Sequence, residues 1–117
     1  MKVRNVVLAC LFTALATPAF ADARSEARAL VKFGINVANY GLWREATEKF
    51  LRATAVDPTY AEAWNNLAIA HEQRGDLASA RDTYERALKL NPDNQYIKQN
   101  FELFREIQDR VTRQGGK

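Results

Sequence analysis

The stretch AEAWNNLAIAHEQRGDLASARDTYERALKLNPDN, residues 61–94, decides the fold. Laid over ARALVKFGINVANYGLWREATEKFLRATAVDPTY, residues 27–60, it aligns without a gap at a shift of 34 residues. The identical pairs are Ala27/Ala61, Ala29/Ala63, Ile35/Ile69, Gly41/Gly75, Ala46/Ala80, Arg52/Arg86, Ala53/Ala87 and Pro58/Pro92. Leu30/Trp64, Phe33/Leu67, Gly34/Ala68, Phe50/Tyr84 and Val56/Leu90 match in kind. Small, aromatic, turn and Pro positions that return in register mark a stacked repeat, in which each unit buries its apolar face against the next.

Each unit reads as two helices. Ala63, Trp64, Leu67, Ala70 and His71 recur at helical spacing. Gly75 suits the left-handed residue after a helix, and Asp76 suits the cap of the next. Leu77, Ala80, Tyr84, Ala87 and Leu88 form a second stripe, which Asn91-Pro92 ends because a residue before Pro leaves the helical region. The first unit repeats the plan, with Gly41 at the turn and Asp57-Pro58 at the stop. Gly34/Ala68, Ala46/Ala80 and Ala53/Ala87 are expected where helices cross closely, with Phe33/Leu67 and Phe50/Tyr84 filling the space beside them. Beyond the units, Ile97, Phe101, Phe104, Ile107 and Val111 stripe a fifth helix over 95–113. It reads as a closing helix with a polar outer face, or as the first half of a third unit. Residues 114–117 read as a frayed tail.

These residues closely resemble the tetratricopeptide repeat, a 34-residue unit with Trp, Leu, Gly, Tyr, Gly, Ala, Phe or Tyr, Ala and Pro at set places. Residues 61–94 follow it nearly throughout, with Ala68 for the usual Gly and His71 for the usual Tyr. Residues 27–60 follow it less closely, with Leu30 for Trp, Val37 for Tyr and Thr54 for Leu. The resemblance implies an all-α fold: antiparallel helix pairs stacked as a short right-handed solenoid, two units and a capping helix. For function it implies, by analogy only, an interaction scaffold.

The first 21 residues have the layout of a secretory signal. Lys2 and Arg4 precede an apolar run from Val6 to Ala16, and the small residues Ala19 and Ala21 offer a cleavage site after Ala21. The run is too short to span ~30 Å of hydrocarbon comfortably, so no membrane-spanning segment is expected in the mature chain. Cys10 reads as one more apolar residue of the signal, because a lipoprotein signal needs its apolar region before the cysteine. Asp22 and Ser25 read as caps of the first helix. The expected destination is the bacterial periplasm. Without Lys2 and Arg4 the 17 basic residues fall to 15 against 14 acidic, a net charge of +1. That balance gives no clustered basic surface for nucleic acid. The mature chain has no cysteine, which excludes disulfides and thiol chemistry.

Catalytic patterns are missing. His71-Glu72 begins like a zinc-peptidase helix, but the second histidine would fall at Gly75. One histidine without cysteine makes no structural zinc set. Ser25 and Ser79, the serines of the mature chain, have no neighbouring base in sequence, and no glycine-rich phosphate loop occurs. The expectation is a protein that is not an enzyme and holds no cofactor or metal.

By the resemblance, the first helix of each unit lines a concave groove. The first unit would contribute Arg28, Val31, Lys32, Ile35 and Asn39, and the second Glu62, Asn65, Asn66, Ile69 and Gln73. The closing helix would add Tyr96, Gln99, Asn100 and Leu103. This mix suits an extended or helical peptide, with amides on its backbone and Ile35, Ile69 and Leu103 as apolar contacts. Chaperone-adaptor members of the family grip a C-terminal carboxylate with Lys, Asn and Arg. Asn66 matches one such position, but Val31, Ile35, Tyr96 and Asn100 stand at the others, so that specificity is not expected. The alternative is a structural or assembly role, with end-to-end self-association through Tyr96, Leu103 and the weaker first unit.

Overall fold

The computed structural model describes residues 18–116, and side chains from Asp22 onward. It holds five helices: α1 Pro18–Asn39, α2 Trp43–Val56, α3 Ala61–Gln73, α4 Leu77–Leu90 and α5 Gln95–Gly115. No strand occurs among the described residues. The expected leader lies outside them, except that Pro18–Ala21 form the start of α1. The helix therefore runs through the expected cleavage site. Asp22 and Ser25 lie inside it and cap nothing, because α1 starts more than a turn upstream of both.

The two units repeat down to their turns. Gly41 and Gly75 have φ of 76° and 77°, a conformation that only Gly adopts without a Cβ penalty. Around each glycine the same pair of bonds closes the helix. Gly41 N–H donates to Ala38 and Leu42 N–H to Val37; Gly75 N–H donates to Glu72 and Asp76 N–H to His71. This is the Schellman arrangement, which satisfies carbonyls that a helix end leaves open. Asp76 then caps α4 by accepting from the Ser79 amide, as expected. Asn94 caps α5 in the same way through the Ile97 amide.

Packing follows the small-residue series. Ala46, Ala53, Ala80 and Ala87 are fully buried. At Gly34 a Cβ would lie 2.5 Å from the Phe50 ring, so α1 and α2 meet at a spacing that glycine alone permits. Ala68 holds the equivalent place in the second unit, fully buried beside Tyr84. The residue 34 positions further on is Glu102, exposed on α5. Helix α5 packs on α4 and α3 and extends the array by one helix. Its inner face carries Ile97, Phe101 and Phe104, and Phe104 and Phe101 lie 5.5 and 5.6 Å from the Tyr84 ring centre.

Two expectations about packing need correction. Phe33 does not fill the core: it is 53% exposed, while its counterpart Leu67 is 2% exposed. Helix α2 of the first unit covers α3, but no described helix lies in front of α1. The α5 stripe also divides. Ile97 and Phe104 are buried, whereas Ile107 and Val111 are exposed, because the latter part of the helix has less of α3 and α4 to pack against.

Candidate interaction groove

The contacts among helices define a curved array. Helix α3 touches both α1 and α5, but α2 and α4 do not touch each other. Helices crowded on one side and splayed on the other make the α1/α3/α5 face the concave one. Positions 34 apart fall into rows across this face. Arg28, Glu62 and Tyr96 form one row, and Lys32, Asn66 and Asn100 the next. Ile35, Ile69 and Leu103 form a third, entirely aliphatic, and Asn39, Gln73 and Ile107 a fourth.

Most sequence-expected residues are available on this face. Arg28, Lys32, Asn39, Glu62, Gln73 and Gln99 are exposed, as are Tyr96, Leu103 and Ile35. Asn66, Ile69 and Asn100 are half-buried, and Ile69 packs on the Tyr84–Phe104 cluster. Val31 and Asn65 are corrections. Val31 is a core residue, packed with Phe50 and Leu67, because the curvature brings α3 over that side of α1. Asn65 is fully buried and its amide oxygen accepts from Asn100 Nδ2 at 3.2 Å. The pair ties α3 to α5 from within. Asn66 spends one amide N–H on the Glu62 carbonyl of its own helix, at 2.8 Å. Ile107 was missed by sequence reasoning, although the same register, continued from Asn39 and Gln73, leads to it.

A polar clasp ties the N-terminal part of α1 to the turn between α2 and α3. Arg24 donates from Nε to the Asp57 carboxylate and from Nη2 to Thr59 Oγ at 3.1 Å. Asp57 also accepts from the Thr59 hydroxyl and amide. Burial alone would raise the Asp57 carboxyl, but these hydrogen bonds and the Arg24 charge outweigh it and hold it below its ordinary value. The guanidinium also lies over the Tyr60 ring, 4.8 Å from its centre. Tyr60 in turn donates to Glu62, and burial with that neighbouring carboxylate pushes its phenol up to about 12. The clasp thus sets one rim of the face. Trp64 seals the seam between units, donating to the Pro58 carbonyl at 2.9 Å beneath the Arg86 guanidinium.

Other surfaces differ in kind. A trough of about 610 Å³ runs between Pro58 and Glu85, Arg86, Lys89 and Leu90 of α4, outside the curved face. A smaller apolar recess of about 300 Å³ lies at the open side of α1 and α2, where Lys49 sits over Phe33 beside Leu30. Among the described residues no set of three or more His, Cys, Asp or Glu is placed to hold a metal ion. No described helix is long and apolar enough to cross a membrane.

Comparison with known proteins gives the same repeat from an independent direction. The tetratricopeptide repeat model matches residues 61–94. Residues 61–94 are a tetratricopeptide repeat. The chain's first unit lies outside that match and is recognised by register with the second. A mouse protein named Protein O-mannosyl-transferase TMTC1 is 35% identical over 78 residues, 67% of this chain but 8% of that protein. Photosystem I assembly protein Ycf3 of Prochlorococcus marinus is 34% identical over 89 residues, 72% of this chain and 50% of that one. The chain therefore spans at most half the length of these two relatives. The Sgt2 tetratricopeptide domain of Aspergillus fumigatus superposes with a TM-score of 0.66 at 21% identity, covering 83% of each chain. That likeness establishes the fold.

Proposed function

We propose that this tetratricopeptide array is a protein-binding module whose working surface is the α1/α3/α5 face. The observation that carries it is the aliphatic row. Ile35 and Leu103 are 37% and 55% exposed, and with Ile69 they recur at one position on three successive helices. An apolar row bordered by amides and charges is the composition of a peptide-binding groove. A photo-reactive residue placed at Leu103 should crosslink a partner, while one at Leu51, 48% exposed on the outer helix α2, should not. Equal crosslinking at both, or crosslinking at Leu51 alone, would place the working surface elsewhere. Leu103→Arg is a better loss-of-binding variant than a change at Ile69, whose packing on the core would confuse binding with folding.

We further propose that the protein works in the cell envelope. Lys2, Arg4, the apolar run 6–16 and Ala19/Ala21 support export with cleavage after Ala21. Mass spectrometry of the envelope fraction should find a chain that starts at Asp22. An intact Met1 start in the cytoplasm would refute this.

A second reading is favoured by one feature, the exposed Phe33 with its recess. Self-association through the open side of α1 and α2 would cover it. Sedimentation across a concentration series should then show a dimer that Phe33→Ser abolishes, and a monomer throughout would exclude it.

A further inference from the structure

The curved face changes character from one end to the other. On α1 it presents Arg28 and Lys32, both exposed, and neither forms an ion pair with a described residue. On α3 it presents Glu62, whose carboxylate already accepts from Tyr60. On α5 it presents Tyr96, Leu103 and Ile107, which are 61%, 55% and 38% exposed, and with Asn100 the α5 members of the four rows are all uncharged. One end is thus cationic and the other apolar, joined by the aliphatic row.

We infer that the groove selects an extended peptide segment with acidic side chains over α1 and large apolar side chains over α5. The inference rests on the groove being the working surface. Charge complementarity sets the acidic end: two unpaired cations at one rim attract acidic groups and repel basic ones. The exposed Tyr96, Leu103 and Ile107 set the apolar end. The extended form follows from the amides. Asn66 and Asn100 each use an amide N–H within the protein, leaving oxygens to accept from main-chain N–H groups. An extended chain leaves such groups unpaired, whereas a helix has bonded its own. Packed helices lie roughly 8–10 Å apart, so α1 and α5 are about 16–20 Å apart across α3. At about 3.3 Å per residue, roughly five or six residues separate the acidic and apolar parts of the ligand.

The test uses synthetic peptides of about twelve residues, amidated so that no terminal carboxylate contributes. One carries an acidic and a Leu/Phe block at that separation, in both chain orders. A second replaces the acids with Lys, and a third replaces the apolar block with Ser. Binding is read by fluorescence anisotropy at low and high salt. The acidic–apolar peptide in its better order should bind about tenfold tighter than the Lys version at low salt, a preference that salt weakens. Arg28→Glu with Lys32→Glu should reverse the preference without unfolding the protein, since both side chains are exposed. Leu103→Ser should weaken the acidic and Lys versions alike. Equal affinity for the acidic and Lys peptides would overturn the inference while leaving the groove in place. No binding by any peptide, or binding that Leu103→Arg leaves unchanged, would overturn the groove reading itself.

Discussion

Gly34→Ala provides a direct test of how the first unit is packed. On helix propensity alone the change should stabilise, since Ala is favoured over Gly in a helix interior by ~1 kcal/mol. The geometry predicts the opposite sign. The new Cβ would sit 2.5, 2.9 and 3.0 Å from three carbons of the Phe50 ring, where carbon atoms prefer about 3.5–4.0 Å. Phe50 is 2% exposed, so its ring cannot move aside without disturbing α2 and α3. Overpacking of this kind costs ~1–3 kcal/mol, which exceeds the propensity gain over most of its range. The expected net loss is about 1 kcal/mol, or a fall in Tm of roughly 4–8 °C for a domain of this size. Thermal and urea denaturation followed by far-UV circular dichroism would measure it. The same substitution in a Phe50→Leu background should be neutral or stabilising, because the clash is gone and the propensity gain remains. A raised Tm for Gly34→Ala with Phe50 intact would refute the argument, and with it the reading of the 34/68/102 series as a record of helix spacing.

The remaining expectations concern the polar ties. Arg24→Ala should cost about 1 kcal/mol in denaturant midpoint, a modest figure because Arg24 is 36% exposed and its pair is partly screened; an unchanged midpoint would mean that the clasp is ornamental. Asn100→Ala should cost ~1–2 kcal/mol by leaving the buried Asn65 amide without its partner, and the Asn65→Leu, Asn100→Leu pair should recover part of that loss. Burial pushes His71 below its ordinary 6.5, opposed by Asp76 and helped by Arg74. The unfolded chain then takes up the proton first, so this stability is present above 6.5 and is lost as pH falls through the folded value. A pH series of urea midpoints should show that loss, and His71→Gln should remove it; a midpoint flat below pH 6.5 would contradict it. Asp57, held low, acts in the same direction further down, losing its contribution as pH falls below the ordinary 3.8.

How far the sequence could be read follows from what a repeat does and does not encode. Register is local information. The return of Gly41 at Gly75 and of Ala46 at Ala80 fixes the turns and the helix pairs before any contact is known, and the structure places all of them as expected. Curvature is a collective property of three helices and is not written at any single position. That is why Val31 and Asn65, correctly placed on first helices, disappear beneath α3 and α5 instead of lining the groove. End effects are the other gap. Phe33 and Leu67 occupy equivalent positions, yet one is exposed and the other buried, because a repeat pattern says what each unit needs and not whether a neighbour supplies it. The Arg24–Asp57 clasp joins residues 33 apart through the extended start of α1, which lies outside the repeated unit and so outside its register. Where the pattern breaks, however, it carries meaning of its own. Glu102 falls where the series Gly34, Ala68 calls for a small residue, so α5 departs from the first-helix pattern at the position that sets the spacing of a helix pair. The rows on these helices, cationic on α1 and apolar on α5, make a face with two unlike ends. That polarity is what lets a two-unit array distinguish one orientation of a bound segment from the other.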